Sequence, residues 1–343
     1  MSTPIRSFSL HDNGISIPAI GIGTFQPDAA APETVTQAVL DALRAGYRHI
    51  DTAFMYGDGT VERAVGKALI EWGGSRKDVF ITSKLGNAYH RSEDVADALK
   101  LTLQNLQVDY LDLYLMHYPV AYHKEGHEPR EWKTPRFPTG TPKVDFELSA
   151  DYSQTWTAME KLVDMGKVKV IGISNFSLLK LRKLLQGARI KPAVHQTEMH
   201  PYLPQTEMLA FCRSENICVT AHSPLGGRPV PVSALNKDIP GPLHDPVVHA
   251  IAEKHGRSPA DILLKWGLQR GTVVVPKSYT LSHIQSNLAL LDHTDLTAED
   301  MEAISNLKAP GSYVRYMDPS RYWGFDIFNE DRDEPDPQQT RQS

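Results

Sequence analysis

Cysteine is almost absent: Cys212 and Cys218 are the only two in 343 residues, too few for the disulfide framework that staples small secreted domains. The opening Met-Ser-Thr-Pro-Ile-Arg lacks the apolar stretch of a secretory signal. Both observations lead to a reducing cytosol as the expected location, and they leave the glycosylation-like Asn175-Phe-Ser177 as a chance match with no route to a glycan. Long apolar runs are missing too. Runs such as Val273 to Pro276 fall far below the ~20 residues needed to cross a bilayer, so no membrane segment is expected. There is no surplus of basic residues, the formal net charge being -5, which argues against nucleic acid as a partner. Nothing in the composition reports the oligomeric state.

What is present is enough apolar residue, 41% against 22% charged, to bury the core of one barrel-sized domain or of two ordinary ones. Residues 6 to 20 alternate apolar and polar around His11-Asp-Asn-Gly14, and Asn-Gly between such runs predicts a hairpin. Short apolar runs then alternate with longer stretches of helical spacing. Strands are expected at Ala19 to Ile22, Tyr47 to Asp51, Val79 to Ser83, Tyr110 to Met116, Val168 to Ile173, Ala193 to Gln196, Cys218 to Ala221 and Thr272 to Val275. Helices are expected at Pro32 to Ala45, Val61 to Trp72, Ser92 to Leu106, Asp151 to Met165, Leu178 to Leu185, Gln205 to Glu215, Ser258 to Gln269 and Leu281 to Leu291. Strand and helix never segregate, which points to a single α/β domain over residues 1–343 built as a (β/α)8 TIM barrel. A doubly wound sheet would ask for G-x-G-x-x-G after its first strand. Gly21-Ile-Gly23-Thr-Phe-Gln26 lacks the third Gly and enters a Pro-containing loop. Beyond the barrel stand the opening hairpin, a long strand-end loop from Tyr118 to Ser149, and a tail from Ala309 to Ser343 whose last part, Asp331 to Arg341, reads as solvated.

Polar residues close three consecutive strands: Asp51 the second, Lys84 the third and His117 the fourth, with Tyr56 in the loop after Asp51. A strand end is where such a barrel keeps its chemistry. A buried Lys is costly unless paired, and Asp51 is the obvious partner. An ammonium beside a phenol favours the phenolate, so Tyr56 becomes a proton donor tuned by Lys84, while His117 can hydrogen-bond a substrate oxygen. Taken singly, each residue is as readily structural; the coincidence of the four carries the reading. His123 and His127 stand four apart, but in a polar, Gly-containing insertion and without the His-Glu-x-x-His order, so no metal is expected.

Gly46-Tyr-Arg-His-Ile-Asp-Thr-Ala53, Ile171-Gly-Ile-Ser-Asn-Phe176 and Pro276-Lys-Ser278 together resemble the aldo-keto reductase superfamily, in a resemblance that runs from Ile17 to Leu307. It implies a barrel that binds extended NADP(H) without a Rossmann motif and reduces an aldehyde, ketone or open-chain sugar carbonyl. Hydride passes from the nicotinamide while a Tyr protonates the oxygen. By that resemblance the acid is Tyr56, its tuner Lys84, the Lys partner Asp51, and the residue orienting the carbonyl His117. Alcohol or polyol oxidation in the reverse direction, and a barrel that binds NADP(H) as a sensor without turnover, stay open as rival readings.

The resemblance also assigns the cofactor contacts. Ser174, Asn175 and Gln196 would hold the carboxamide. Thr24 is a further cofactor contact, and His222, Ser223 and Leu225 lie in the pyrophosphate loop Ala221-His-Ser-Pro-Leu-Gly226. The family usually stacks a Tyr where His222 stands, and imidazole offers less area. Lys277 and Ser278 would take the 2′-phosphate and Asn287 the adenine, while His283 occupies a place usually held by Arg, without its permanent bidentate charge. NADP(H) preference weaker than usual follows, with NAD(H) left open. Phe25 and Tyr118 stand where Trp is frequent, implying a roomier substrate mouth, and Trp323 in the tail could add a wall or simply pack on the barrel.

Overall fold

A computed structural model of the chain describes residues 7–10, 14–25, 31–126, 133–227, 239–308 and 313–328. His11 to Asn13, where the hairpin turn is expected, Gln26, His127 and the end of the tail, with Asp331 to Arg341, lie outside them. In chain order the strands are β1 (Ser7–Leu10), β2 (Ile15–Pro18), β3 (Ile22–Gly23), β4 (His49–Asp51), β5 (Phe80–Leu85), β6 (Leu111–Met116), β7 (Ala121–Tyr122), β8 (Val144–Asp145), β9 (Val168–Ser174), β10 (Val194–Glu198), β11 (Cys218–His222) and β12 (Thr272–Val274). The α-helices are α1 (Pro32–Ala45), α2 (Thr60–Trp72), α3 (Val95–Leu106), α4 (Phe146–Ala150), α5 (Ser153–Asp164), α6 (Leu178–Gly187), α7 (Thr206–Ser214), α8 (Pro246–His255), α9 (Pro259–Gln269), α10 (Leu281–Ala289), α11 (Ala298–Ser305) and α12 (Ser320–Trp323).

Hydrogen-bonded neighbours run β12-β11-β10-β9-β6-β5-β4-β3 in one eight-stranded sheet. Ile20, just before β3, pairs in parallel with Val274 of β12, so the two ends of that order meet, as the (β/α)8 fold requires. The opening hairpin is formed too, β1 on β2 with Leu10 opposite Ile15.

The chain divides into two compact units. One comprises Met1–Asp51, Ala68–Phe80 and Gln196–Asp318; the other comprises Thr52–Lys67, Ile81–His195 and Pro319–Ser343. In the first, α1 begins with Pro32 at a position whose N–H needs no partner and buries Val35, Ala38, Val39, Ala42 and Leu43 along one face. Gly46 stops it at φ +113, giving its N–H to Ala42 O and Leu43 O, a left-handed cap that a side chain would oppose. Helix α9 starts on a Ser258–Asp261 capping box, and its Ile262 and Trp266 join Val248, Ile251, Ile304 and Tyr316 in one buried cluster. In the second unit β5 pairs with β6 and β6 with β9, all parallel, and β5 and β6 are buried on both faces. Gly172 lets β9 pass close to its neighbour, since a Cβ there would stand 2.4 Å from Val194 O.

Three expectations are corrected. Strand β5 runs one residue past Lys84, to Leu85, so Lys84 lies inside the sheet ladder rather than closing the strand. The 118–149 insertion carries structure: β7 pairs with β8, and Asp145 caps α4 by accepting Leu148 N–H. It is tied down by Arg91–Asp145 at 2.7 Å and Lys124–Asp94 at 2.5 Å. Helices α8 and α11 were not anticipated, although Asp245, Pro246 and Gly256 punctuate α8 at cap, first turn and left-handed stop.

Candidate active site

In the second unit the polar residues converge on Tyr56. Its loop is a tight turn closed by Tyr56 N–H to Ala53 O at 3.1 Å and Gly59 N–H to Phe54 O at 2.7 Å, with Gly57, Asp58 and Gly59 all at positive φ. From β5, fully buried Lys84 donates to Thr52 O at 2.9 Å and to Tyr56 Oη at 3.3 Å, its ammonium 5.1 Å from the phenol ring centre. His117, just past β6, meets the Tyr56 ring edge-on at 5.7 Å between centroids. Asn175 takes φ +60 and donates from Nδ2 to His117 O at 3.1 Å and to Ser174 Oγ at 3.0 Å. The end of β9 thereby holds the backbone of His117 while Ser174 and Asn175 stay buried together.

An aromatic series leads away from His117. Tyr118 stacks on the His117 ring at 5.0 Å, and Trp323 of α12 meets Tyr118 edge-on, also at 5.0 Å. Trp323 Nε1–H donates to Tyr122 Oη at 2.6 Å. Next to it, Arg136 lies over the Tyr322 ring and donates to Tyr322 Oη. Segment 319–328 of the tail is therefore docked against the loop that follows His117, through Tyr322 and Trp323.

In the first unit the Asp51 side chain accepts Gln196 Nε2–H at 2.6 Å, and its carbonyl accepts both the Thr24 hydroxyl at 2.9 Å and the Thr24 N–H at 3.1 Å. Gln196 is thus oriented, with its Oε1 left to accept from a ligand amide. Phe25 follows Thr24 and is half-buried. His222, at the end of β11, bonds Ser223 Oγ at 3.2 Å, and Ser223 itself sits at φ +50. Leu225, partly buried, packs its side chain against the cluster around Trp266. After β12, Lys277 lies 4.4 Å from the Tyr279 ring centre, and Ser278 Oγ accepts Thr280 N–H at 3.1 Å ahead of α10. On α10 His283 is exposed and Asn287 buried. An exposed cation and a hydroxyl before a helix N-terminus form a donor set that suits a phosphate. Ser174 and Asn175 in the second unit, and Gln196 in the first, carry hydroxyl and amide groups of the kind that suits a flat carboxamide. The residues present fit a nicotinamide dinucleotide.

Two of the buried acids that the sequence alone does not single out are Glu198 and Glu62. Glu198, fully buried at the end of β10, accepts Tyr316 N–H at 2.7 Å, Met317 N–H at 2.8 Å and His200 Nε2–H at 2.9 Å. Burial would raise its carboxyl, but the His200 hydrogen bond and the charges of His200 and Arg315 hold it down to about 2. The signal lay in Gln196-Thr-Glu-Met-His200, where Glu198 follows Gln196 at the spacing that returns to the same strand face. Glu62 is the other, in α2. Among the described residues no cluster of His, Cys, Asp and Glu could hold a metal, and no helix is long and apolar enough to cross a membrane.

The model of the Aldo/keto reductase family matches residues 19–309. Aldo-keto reductase family 1 member A1 of Rattus norvegicus is 43% identical over 313 residues, 90% of this chain and 91% of the relative. An aldo/keto reductase of Synechocystis is 42% identical over 88% of this chain and 89% of its own. Among solved structures, the aldose reductase of Schistosoma japonicum superposes with a TM-score of 0.79 at 36% identity, covering 96% of this chain and all of that one. That of Giardia lamblia gives 0.78 at 36% identity, over 91% and 98%. Sequence and fold agree from the first barrel strand to the helix before the tail, and the chain belongs to the aldo/keto reductase family.

Proposed function

We propose that this chain is an NADP(H)-dependent reductase of aldehydes, ketones or open-chain sugars, able to run in the alcohol-oxidising direction. Membership of the family makes it an oxidoreductase; nucleotide, acid and substrate class are the proposed part. The observation that carries the reading is Lys84, buried in the sheet with its ammonium 3.3 Å from the half-buried Tyr56 hydroxyl. When bound, the nicotinamide supplies the hydride. Tyr56 Oη–H gives its proton to the carbonyl oxygen, and the Lys84 ammonium stabilises the phenolate left behind. Thr52 O holds that ammonium in place, and Asp51 is assigned as its counter-charge. His117 offers a ring N–H to the same carbonyl oxygen and so orients it.

Ser174, Asn175 and Gln196 hold the carboxamide in this reading, with Thr24 securing the Asp51 backbone. His222, Ser223 and the Leu225 backbone serve the pyrophosphate, and Lys277, Ser278, His283 and Asn287 the 2′-phosphate and adenine. Exposed His283 lacks the fixed charge of a guanidinium, so NADP(H) preference is moderate and NAD(H) is accepted more weakly. Phe25, Tyr118 and Trp323 are assigned to the substrate, Trp323 from the tail. Consumption of NADPH and of NADH is followed against aldehydes, aldoses and ketones, with Tyr56→Phe as control. Turnover surviving in Tyr56→Phe removes the proposed acid, and no turnover by the unaltered chain on any substrate returns the reading to a binding protein.

A further inference from the structure

We infer that Glu62 is a positioning residue: through Ser83 and Asn105 it fixes the spacing between Lys84 and Tyr56. Ser83 and Lys84 are neighbours in β5, so their side chains leave opposite faces of the strand. Lys84 reaches Thr52 O and Tyr56, while Ser83 Oγ–H donates to Glu62 Oε1 at 2.7 Å on the helix side. Glu62 is fully buried in the first turn of α2. That turn continues directly from the Tyr56 loop, with Val61 N–H bonded to Tyr56 O at 3.3 Å and Arg63 N–H to Gly59 O at 3.0 Å. The other carboxyl oxygen accepts Asn105 Nδ2–H at 3.0 Å. Asn105 in turn lies under the Tyr56 loop, because a Cβ on Gly59 would stand 2.4 Å from its Nδ2. Gly66, one turn further along α2, admits the carbonyls of Asn105 and Leu106 equally closely. One carboxyl group thus joins the strand carrying Lys84, the loop carrying Tyr56 and the end of α3.

Burial pushes the Glu62 carboxyl above its ordinary range, and the donors Asn105 and Ser83 draw it back. A buried carboxyl is a costly way to join three elements, but a directional one. Two donors at fixed distances set both the height of β5 and the rotation of the α2 terminus, which an apolar contact would leave free to slide.

The inference rests on the reading of Tyr56 as acid and Lys84 as its tuner. Its test is steady-state kinetics on the full chain with NADPH and a turned-over aldehyde. In Glu62→Ala, kcat falls about 10- to 100-fold, the loss expected of a misplacement near 1 Å, while KM and the NADPH dissociation constant stay within about twofold. Ser83→Ala moves the same way by less. Glu62→Gln recovers part of the rate, since its amide oxygen still accepts from Ser83 while Asn105, whose Oδ1 accepts Arg63 Nη1–H at 3.4 Å, loses its acceptor. In a Lys84→Met background Glu62→Ala causes no further loss. An equal further loss there, or Glu62→Ala that lowers Tm while kcat holds, overturns the inference. Should Glu62→Ala fail to fold, an unchanged kcat in Ser83→Ala overturns it instead. Turnover retained in Tyr56→Phe defeats the functional reading itself, whereas Tyr56-dependent turnover with normal kcat in the Glu62 and Ser83 variants defeats only this inference.

Discussion

Glu198→Gln is the substitution whose effect follows most directly from the geometry. The native carboxylate accepts from three donors at 2.7, 2.8 and 2.9 Å with no access to water. A glutamine keeps one oxygen and turns an NH2 toward a backbone N–H, so Tyr316 or Met317 is left with a buried, unpaired donor. One such group costs about 1–3 kcal/mol, and charge-assisted bonds are lost besides, so Glu198→Gln loses about 3 kcal/mol at neutral pH. The acid side gives an independent check. Buried Glu198 titrates at about 2 in the fold against an ordinary 4.5. The unfolded chain therefore takes up the proton first. The stabilisation is complete above 4.5 and is lost as pH falls toward 2. Over that window, at about 1.36 kcal/mol per pH unit, it amounts to roughly 3 kcal/mol. Urea unfolding across it shows the native protein losing that much more than Glu198→Gln. Hydrogen exchange places the change at the Tyr316 and Met317 amides, ahead of global unfolding. Equal acid slopes in the two proteins, or unchanged protection at those amides, refute the reasoning.

Other expectations are more local. Tyr56→Phe lowers kcat by about 10²–10⁴ with cofactor affinity kept, and kcat within tenfold of native contradicts the assignment. His283→Arg tightens NADPH by about 1 kcal/mol, near fivefold, and leaves NADH alone; a titration showing an unchanged or raised NADPH dissociation constant sinks this. Trp323→Ala removes the wall on Tyr118 and the donor to Tyr122, so KM for bulky aromatic aldehydes rises about tenfold while NADPH binding holds, and equal KM across the panel excludes Trp323 from the pocket. Gly172→Ala drives a Cβ to 2.4 Å from Val194 O, destabilising by about 1–3 kcal/mol; a denaturation midpoint equal to the native one argues against that close approach.

The sequence determined the barrel and singled out the residues on which its chemistry is proposed. Strand and helix periods depend on residues two to four apart, so alternation, Pro32 and Gly46 around α1 and the polar ends of three strands were legible without coordinates. Asp51, Lys84 and His117 announced themselves because a polar residue closing an apolar run is conspicuous. Helix α8 is equally marked, by Asp245, Pro246 and Gly256, but its buried stripe of Val248, Ile251 and Ala252 is too short to stand out as a helical period. What only the tertiary structure decided are pairings across long stretches of chain. Glu198 with Tyr316 is separated by 118 positions, Trp323 with Tyr122 by 201, and Asn105 with Glu62 by 43. No local pattern foretells which buried acid will meet which donor, because that depends on how the closed strands and their loops bring distant segments together. The same folding gives Gln196 to Asp51 and stacks Tyr118 on His117, turning residues chosen one by one from the sequence into oriented groups.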